Sequence, residues 1–217
     1  MATVSSRLIV IASTKIGENS VVLHTLSREY GRRGFVARPS PNVPAALFQP
    51  LSLLEAEMVV NPKSELWRIR LLSATDPLNS IRADAGKSAA AMFVSELLYR
   101  VVREGAADAE LWDWLENQII TLDRLEAGKA NFHLLFLLGF AARLGFRPEF
   151  EDLAPFAEDD ASAIRALMTL PYGEALLLPL NGEKRSSVCE KIINYLEYHT
   201  ESRINLRSLP VLGEIFR

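Results

Sequence analysis

The chain has few of the residues on which catalytic and metal sites usually depend. It contains one cysteine, Cys189, among 217 residues, which excludes an intrachain disulfide and a zinc site built from several cysteines. Its three histidines, His24, His133 and His199, lack the close spacing of a metal-binding helix. No pattern indicates a catalytic triad, whose members must converge with orienting partners. The sequence predicts no metal, no cofactor, no small-molecule substrate and no enzymatic activity.

The residues that resemble reactive groups have simpler interpretations. His133 lies in an apolar helical segment and is predicted to be a core histidine, and Cys189 is predicted to pack inside an amphipathic helix. Residues 84–88 look superficially like the end of a phosphate-binding loop, but Ile81 stands where that loop needs its first glycine. A helix start is the favoured interpretation of this segment.

The chain also lacks a long apolar run. The longest stretch without a charged residue, 39–54, has 16 residues and contains four prolines, and the apolar helical stretch Ala130–Ala142 has 13. A membrane-spanning helix needs about 20. The first residues do not combine a basic start with an apolar run, as a secretion signal would. We expect a soluble protein of the cytoplasm that does not bind membranes.

Charge is distributed unevenly along the chain. Residues 1–80 contain nine Lys and Arg against six Asp and Glu, a net charge of +3. Residues 81–217 contain fifteen against twenty-one, a net charge of −6. A polyanionic partner is therefore expected to meet the first part. Chance is the alternative, because +3 over eighty residues is modest.

The first part of the chain predicts short β-strands separated by turns. The predicted strands are 7–13, 20–27, 34–38, 51–60 and 66–74. In the last of them, Trp67, Ile69 and Leu71 are expected on one face. Arg68 and Arg70 are expected on the other. Five strands with long loops match an OB-type barrel, although an SH3-like barrel would give a similar pattern.

The rest of the chain has helical periodicity. The predicted helices are 89–102, 108–125, 131–143, 161–170, 187–200 and 208–216. Asp108 is placed to cap the second of them, and Gly145 to end the third. We predict an α+β protein in which a five-stranded OB-type barrel over residues 1–78 binds nucleic acid and is followed by a helical domain over 79–217.

Several short motifs, strongest over residues 7–60 and 92–146, resemble those of the RecO family of recombination mediators. They are Gly17-Glu18, 26–29, Gly31-Arg32, 36–38, 47–51, 95–100 and 144–146. Each motif alone is common, and the resemblance rests on their order and spacing. It implies a non-enzymatic mediator of recombinational DNA repair, located in the cytoplasm with the nucleoid.

Further expectations follow from this resemblance. Such proteins bind single- and double-stranded DNA and work with the partner RecR. They help to load RecA onto strands coated by single-stranded DNA-binding protein, and they anneal complementary strands. Many relatives carry a four-cysteine zinc site after the 144–146 motif. Here residues 149–160 are predicted to form a short acidic loop instead, held by Leu153, Pro155 and Phe156.

The predicted DNA-binding residues are the basic side chains of the first part and two aromatic residues beside its basic turn. They are Arg32, Arg33, Arg38, Lys63, Arg68, Arg70, Tyr30 and Phe35. Cations on one surface neutralise phosphates, and aromatic rings stack on bases. The alternative is that these are ordinary solvated residues. Because the loop 39–44 carries no charge, a divergent protein-interaction module of the same fold with little DNA affinity is the alternative function.

A second expected site would bind the acidic, phenylalanine-ended tail of single-stranded DNA-binding protein. The resemblance places it in the helical domain, where Phe93 and Leu97 would form an apolar slot ringed by Arg100 and Arg103. Plain core packing is the alternative for the two apolar residues.

Overall fold

The structure, a computed structural model, describes residues 2–41, 43–60, 64, 66–105, 107–146 and 148–217. Its first part is a closed barrel of five strands in the spatial order β1-β2-β3-β5-β4. The strands are β1 Ala2–Ile16, β2 Ser20–Ser27, β3 Gly31–Ala37, β4 Leu53–Val60 and β5 Leu66–Asp76. Helices follow the barrel, so the predicted fold class is confirmed.

Strand β1 is much longer than predicted because it pairs along both of its edges. Ala2–Ile9 pair with β4, and Leu8–Ile16 pair with β2. The register with β2 shifts between Val10 and Ala12, which leaves Ile11 as an extra residue in the ladder. Both faces of β1 are buried here, since Leu8, Ile9, Val10 and Ile11 are all buried. The interior of the barrel contains apolar side chains from every strand. They include Leu8, Leu23, Phe35, Met58, Trp67 and Leu72.

The predicted alternation in β5 is wrong from Leu71 onward. Met58 pairs with Ile69 while Glu57 pairs with Leu71, which leaves Arg70 as an extra residue in the ladder. This bulge reverses the side-chain direction. Leu71 is 54% exposed and Leu72 takes the interior position. A one-residue insertion of this kind leaves no mark in a pattern of apolar and polar residues.

The helices of the described chain include every predicted one, with three additions. They are α1 Asn79–Ala83, α2 Ala85–Val101, α3 Ala109–Arg124, α4 Phe132–Arg143, α5 Phe150–Ala157, α6 Ala161–Thr169, α7 Tyr172–Leu176, α8 Gly182–Thr200 and α9 Ser208–Ile215. The additions are α1, α5 and α7. Asp108 accepts a hydrogen bond from the Leu111 N–H at 2.9 Å. Gly145, at φ 93°, ends α4, and the Phe146 N–H reaches back to the Ala141 carbonyl. Both predicted caps are confirmed.

The acidic segment 149–160 is a helix and a 3-10 turn rather than the predicted loop. Glu149 and Asp152 form a capping box, in which each side chain accepts the other residue's backbone N–H. Leu153 is fully buried, and the half-buried Phe156 ring lies 5.9 Å from that of Tyr195. Pro155 is exposed and adds no packing. Acidic residues therefore start a helix here, since they favour its N-terminus.

The chain forms two compact units. The first contains residues 1–79 and 95–120, and the second contains 80–94 and 121–217. The sequence predicts that the segment 95–120 belongs with the helical domain, but it is part of the first unit, and the contacts of its side chains explain why. Ser95 Oγ donates to the Ile11 carbonyl at 2.5 Å, and Trp112 Nε1 donates to the Leu26 carbonyl at 3.1 Å.

The second unit has its own apolar core. Its largest fully buried side chains come from α2, α4 and α8: Phe93, Phe132, Phe136, Phe140 and Tyr195. The segment that resembles a phosphate-binding loop is a helix start, as predicted. Lys87 is buried there, and its ammonium donates to Ser80 Oγ at 2.6 Å and to the Asp123 carbonyl at 2.7 Å. Within the described ranges, no helix combines the length and apolar character needed to cross a membrane.

Candidate nucleic-acid interface

Three of the predicted arginines surround one cleft on the barrel. The cleft has a volume of about 280 Å³ and lies where β3 and β5 pair in parallel, with Val36 opposite Arg68. It is lined by Val36, Ala37, Arg38, Ser40, Val43, Arg68, Ile69 and Arg70. Arg38 follows the last residue of β3, and the bulge in β5 brings Arg70 to the same cleft. We call this the arginine cleft.

The cations of the arginine cleft are mostly unneutralised. All three arginines are exposed. Arg70 lies 3.5 Å from the Glu57 carboxylate. Within the described part of the chain, the side chains of Arg38 and Arg68 have no hydrogen-bond or ion-pair partner. The cleft therefore presents positive charge that remains available to an anion.

A larger groove adjoins this cleft at Arg38. It has a volume of about 1150 Å³ and is lined by Ser13, Lys15, Glu18, Asn19, Ser20, Val21, Arg38, Pro39, Ala45, Phe48, Gln49 and Pro50. No sequence pattern marks Lys15 as a binding residue, because the predicted first strand ends at Ser13. The hairpin pairing shows its position: Lys15 pairs with Val21, and Val21 pairs with Ala37, next to Arg38.

Arg32 is engaged by the first unit itself. Its guanidinium donates to the carbonyls of Tyr99 at 2.8 Å and Val102 at 2.5 Å, at the end of α2. The same group lies 4.5 Å from the centroid of the Tyr99 ring. A guanidinium held this way satisfies helix-end carbonyls that would otherwise lack partners. Arg32 is therefore a structural residue and is not displayed for DNA.

The other members of the predicted set surround Trp67, which is nearly buried. The Arg33 guanidinium lies 4.8 Å over the Trp67 ring, and the half-buried Tyr30 meets the same ring edge-on at 5.1 Å. Phe35 is fully buried in the barrel, 6.0 Å from Trp67. The expectation that Phe35 stacks on bases is corrected here, because no base can reach it in the folded barrel. Lys63 lies outside the described residues.

The predicted tail-docking residues do not form an open slot. Phe93 and Leu97 are both fully buried, and the Phe93 ring packs edge-on against His133 at 5.7 Å. Arg100 and Arg103 are exposed, and Arg100 lies 3.9 Å from Glu96. The apolar pair is thus core packing, as the alternative interpretation held, because their shared helix face points inward.

The two candidate reactive groups of the second unit are buried and uncharged. Burial, with help from the Arg185 charge, lowers the pKa of His133 to about 3. Burial raises the pKa of the Cys189 thiol, with a smaller contribution from Glu190. Across the described ranges, no group of three or more His, Cys, Asp or Glu side chains is arranged to hold a metal ion. Neither residue is in a state suited to nucleophilic or base chemistry at neutral pH.

Comparison with known proteins gives the family. The model described as Recombination protein O N terminal matches residues 1–78, and the one described as Recombination protein O C terminal matches residues 82–154. The DNA repair protein RecO of Phocaeicola vulgatus is 32% identical over 96% of this chain and 97% of its own. The RecO protein of Bacteroides fragilis gives the same values, and that of Flavobacterium psychrophilum is 27% identical over 98% of this chain and 99% of its own. The chain belongs to the RecO family of DNA repair proteins.

Proposed function

We propose that this chain is a non-enzymatic recombination mediator that binds DNA through the arginine cleft of its barrel. The observation that supports this proposal is that Arg38, Arg68 and Arg70 surround one cleft. No described residue neutralises Arg38 or Arg68. The barrel, residues 1–78, is assigned the nucleic-acid contact. The role extends to loading RecA onto coated single strands, to annealing complementary strands, and to RecR and single-stranded DNA-binding protein as partners.

The mechanism is competition for phosphates, without making or breaking a covalent bond. Each arginine that meets a phosphate displaces condensed counterions, so affinity falls as salt rises. Contacts of this kind position the strand and do not read its sequence. A mediator of this type binds a strand weakly enough to release it to another protein.

The test is a salt titration of DNA binding by the variant Arg38→Ala, Arg68→Ala, Arg70→Ala. Three lost phosphate contacts should reduce the slope of log K against log salt by about two to three units, on single and double strands alike. The control removes the same charge at the exposed Arg124, Arg203 and Arg217 of the second unit, and its salt slope should match that of the parent. An unchanged slope in the cleft variant, with circular dichroism intact, would move DNA contact elsewhere.

A specific observation favours a second candidate function, a protein-interaction module with little DNA affinity. The loop 39–44 beside the arginine cleft carries no charge, and Glu57 partly neutralises Arg70. If the parent protein shows no salt-dependent DNA binding but co-purifies with RecR, the interaction module is the better description.

We also propose that the protein binds the tail of single-stranded DNA-binding protein. Phe93 and Leu97 are no longer part of the proposed docking surface, because both are buried. The exposed Arg100 and Arg103 remain candidates to pair with the carboxylates of the tail. Arg100→Glu together with Arg103→Glu should weaken binding of an acidic, phenylalanine-ended peptide and leave stability nearly unchanged. Peptide binding equal to that of the parent would remove both arginines from the proposed docking surface.

A further inference from the structure

The groove beside the arginine cleft combines two cations with a carboxylate. Lys15 and Arg38 are exposed in it, and so are Glu18, Asn19 and Gln49. A surface that bound only phosphates would gain nothing from Glu18, because a carboxylate repels them. The groove therefore offers two kinds of recognition side by side: positive charge for a backbone, and hydrogen-bonding groups for something else.

The hairpin between β1 and β2 determines how these groups are presented. Gly17, at φ 60°, turns the chain, and Glu18 and Asn19 follow at the exposed tip. Lys15 and Ala37 are two strands apart, which corresponds to about 10 Å at the usual strand spacing. The long side chains of Lys15 and Arg38 can therefore reach phosphates of neighbouring nucleotides, with the tip of the hairpin near the bases between them.

The shape of the groove suits unpaired bases. At about 1150 Å³ it is as large as the sites that enclose small molecules. A duplex is convex and keeps the pairing edges of its bases occupied, so it cannot insert them into a concave surface. A single strand exposes those edges, and barrels of this class bind single strands in grooves.

Resting on the proposed function, we propose that this groove is a single-strand subsite in which Lys15 and Arg38 bind phosphates while Glu18 accepts hydrogen bonds from the amino groups of unpaired bases. A carboxylate pairs well with the N4 amino group of cytosine. Thymine has no amino group, and the two carbonyls beside its N3–H repel a carboxylate. The subsite therefore favours single strands over duplex, and cytosine over thymine.

The experiment measures fluorescence anisotropy of the full chain with labelled oligonucleotides at mildly alkaline pH. The probes are an oligo-dC, an oligo-dT and a duplex, each of about 20 units, longer than the site of one such barrel. The parent should bind oligo-dC about fivefold more tightly than oligo-dT, the lower end for a specific base contact. Glu18→Gln should abolish that ratio, because an amide offers both a donor and an acceptor. Glu126→Gln, exposed in the second unit, is the matched control and should keep it.

Lys15→Ala provides the second arm of the experiment. It should lower the single-strand salt slope by about 0.7 and leave duplex binding unchanged. Arg203→Ala is its charge-matched control. Both test residues lie at an exposed hairpin end, so folding should be intact.

The outcomes separate this inference from the proposed function. If the parent binds DNA through the arginine cleft but Glu18→Gln keeps the dC to dT ratio, or the parent shows no such ratio, the base-reading subsite is wrong and the mediator stands. Equal losses of single-strand and duplex binding in Lys15→Ala would also overturn the subsite. No salt-dependent DNA binding by the parent would overturn both proposals.

Discussion

The arginines at the two ends of strand β3 have different environments: those at its start are engaged within the protein, and the one after its end is exposed. At its start, Arg32 donates to carbonyls at the end of α2, and Arg33 stacks over Trp67. Just past its end, Arg38 opens onto two concave surfaces and has no partner among the described side chains. The same residue type, six positions apart, contributes to internal stability at one end of the strand and is available for binding at the other.

The difference comes from what each arginine faces. The carbonyls of Tyr99 and Val102 need donors at the end of their helix, and a guanidinium supplies several in one plane. The loop that follows Arg38 carries no charge, and no described side chain pairs with Arg38. Removing the first kind of arginine should reduce stability, and removing the second should reduce only affinity.

The largest expected effect in this part of the barrel belongs to Phe35, between the two ends. Phe35→Ala should lower the free energy of unfolding by about 3–5 kcal/mol, because it leaves a cavity in the barrel core. Urea denaturation followed by circular dichroism measures this loss. A loss below about 1 kcal/mol would mean that Phe35 is not a core residue. Phe35 would then again be a candidate for stacking on DNA bases.

Arg32 and Arg38 provide the direct test of the comparison. Arg32→Ala should lower the free energy of unfolding by about 2–3 kcal/mol, since it removes charged hydrogen bonds and the contact with the Tyr99 ring. Arg38→Ala should change it by less than about 0.5 kcal/mol. Equal stability losses in the two variants, measured in the same denaturation series, would break the distinction between structural and available arginines.

Sequence patterns anticipate what depends on periodicity and miss what depends on partners. The barrel strands, the Asp108 cap and the Gly145 helix end follow from local chemistry that a sequence displays. The bulge at Arg70 is a one-residue register shift that composition cannot reveal. The role of Arg32 depends on carbonyls 67 and 70 positions along the chain, which no local pattern brings into view.

The acidic segment shows the same limit in another form. Its six carboxylates suggested a loop because charge usually marks exposed coil. The capping box of Glu149 and Asp152, together with the burial of Leu153, makes it helical. A capping signature is visible in sequence, and the spacing of Glu149 and Asp152 was the signal to find it.

A gain-of-charge variant sharpens the comparison at the free end of β3. Ser40 lines the arginine cleft and is exposed beside Arg38. Ser40→Arg should raise DNA affinity severalfold and steepen the salt slope by roughly 0.7–0.9, the value of one added phosphate contact. Ser40→Gln is the uncharged control. If Ser40→Arg leaves the slope unchanged, phosphates do not approach this cleft.

The last prediction, that removing metal has no effect, concerns the acidic segment 149–160. Two of its six carboxylates form ion pairs: Glu158 pairs with Lys191 at 2.5 Å, and Asp160 with Lys184 at 2.6 Å. Because the lone Cys189 is buried and these two carboxylates already have cationic partners, we expect residues 149–160 to fold without a metal. Purified protein should contain no stoichiometric zinc by elemental analysis, and a chelator should leave its melting temperature unchanged. About one zinc per chain, with a melting temperature that falls on chelation, would show that this region is held by a metal rather than by its capping box, ion pairs and Leu153.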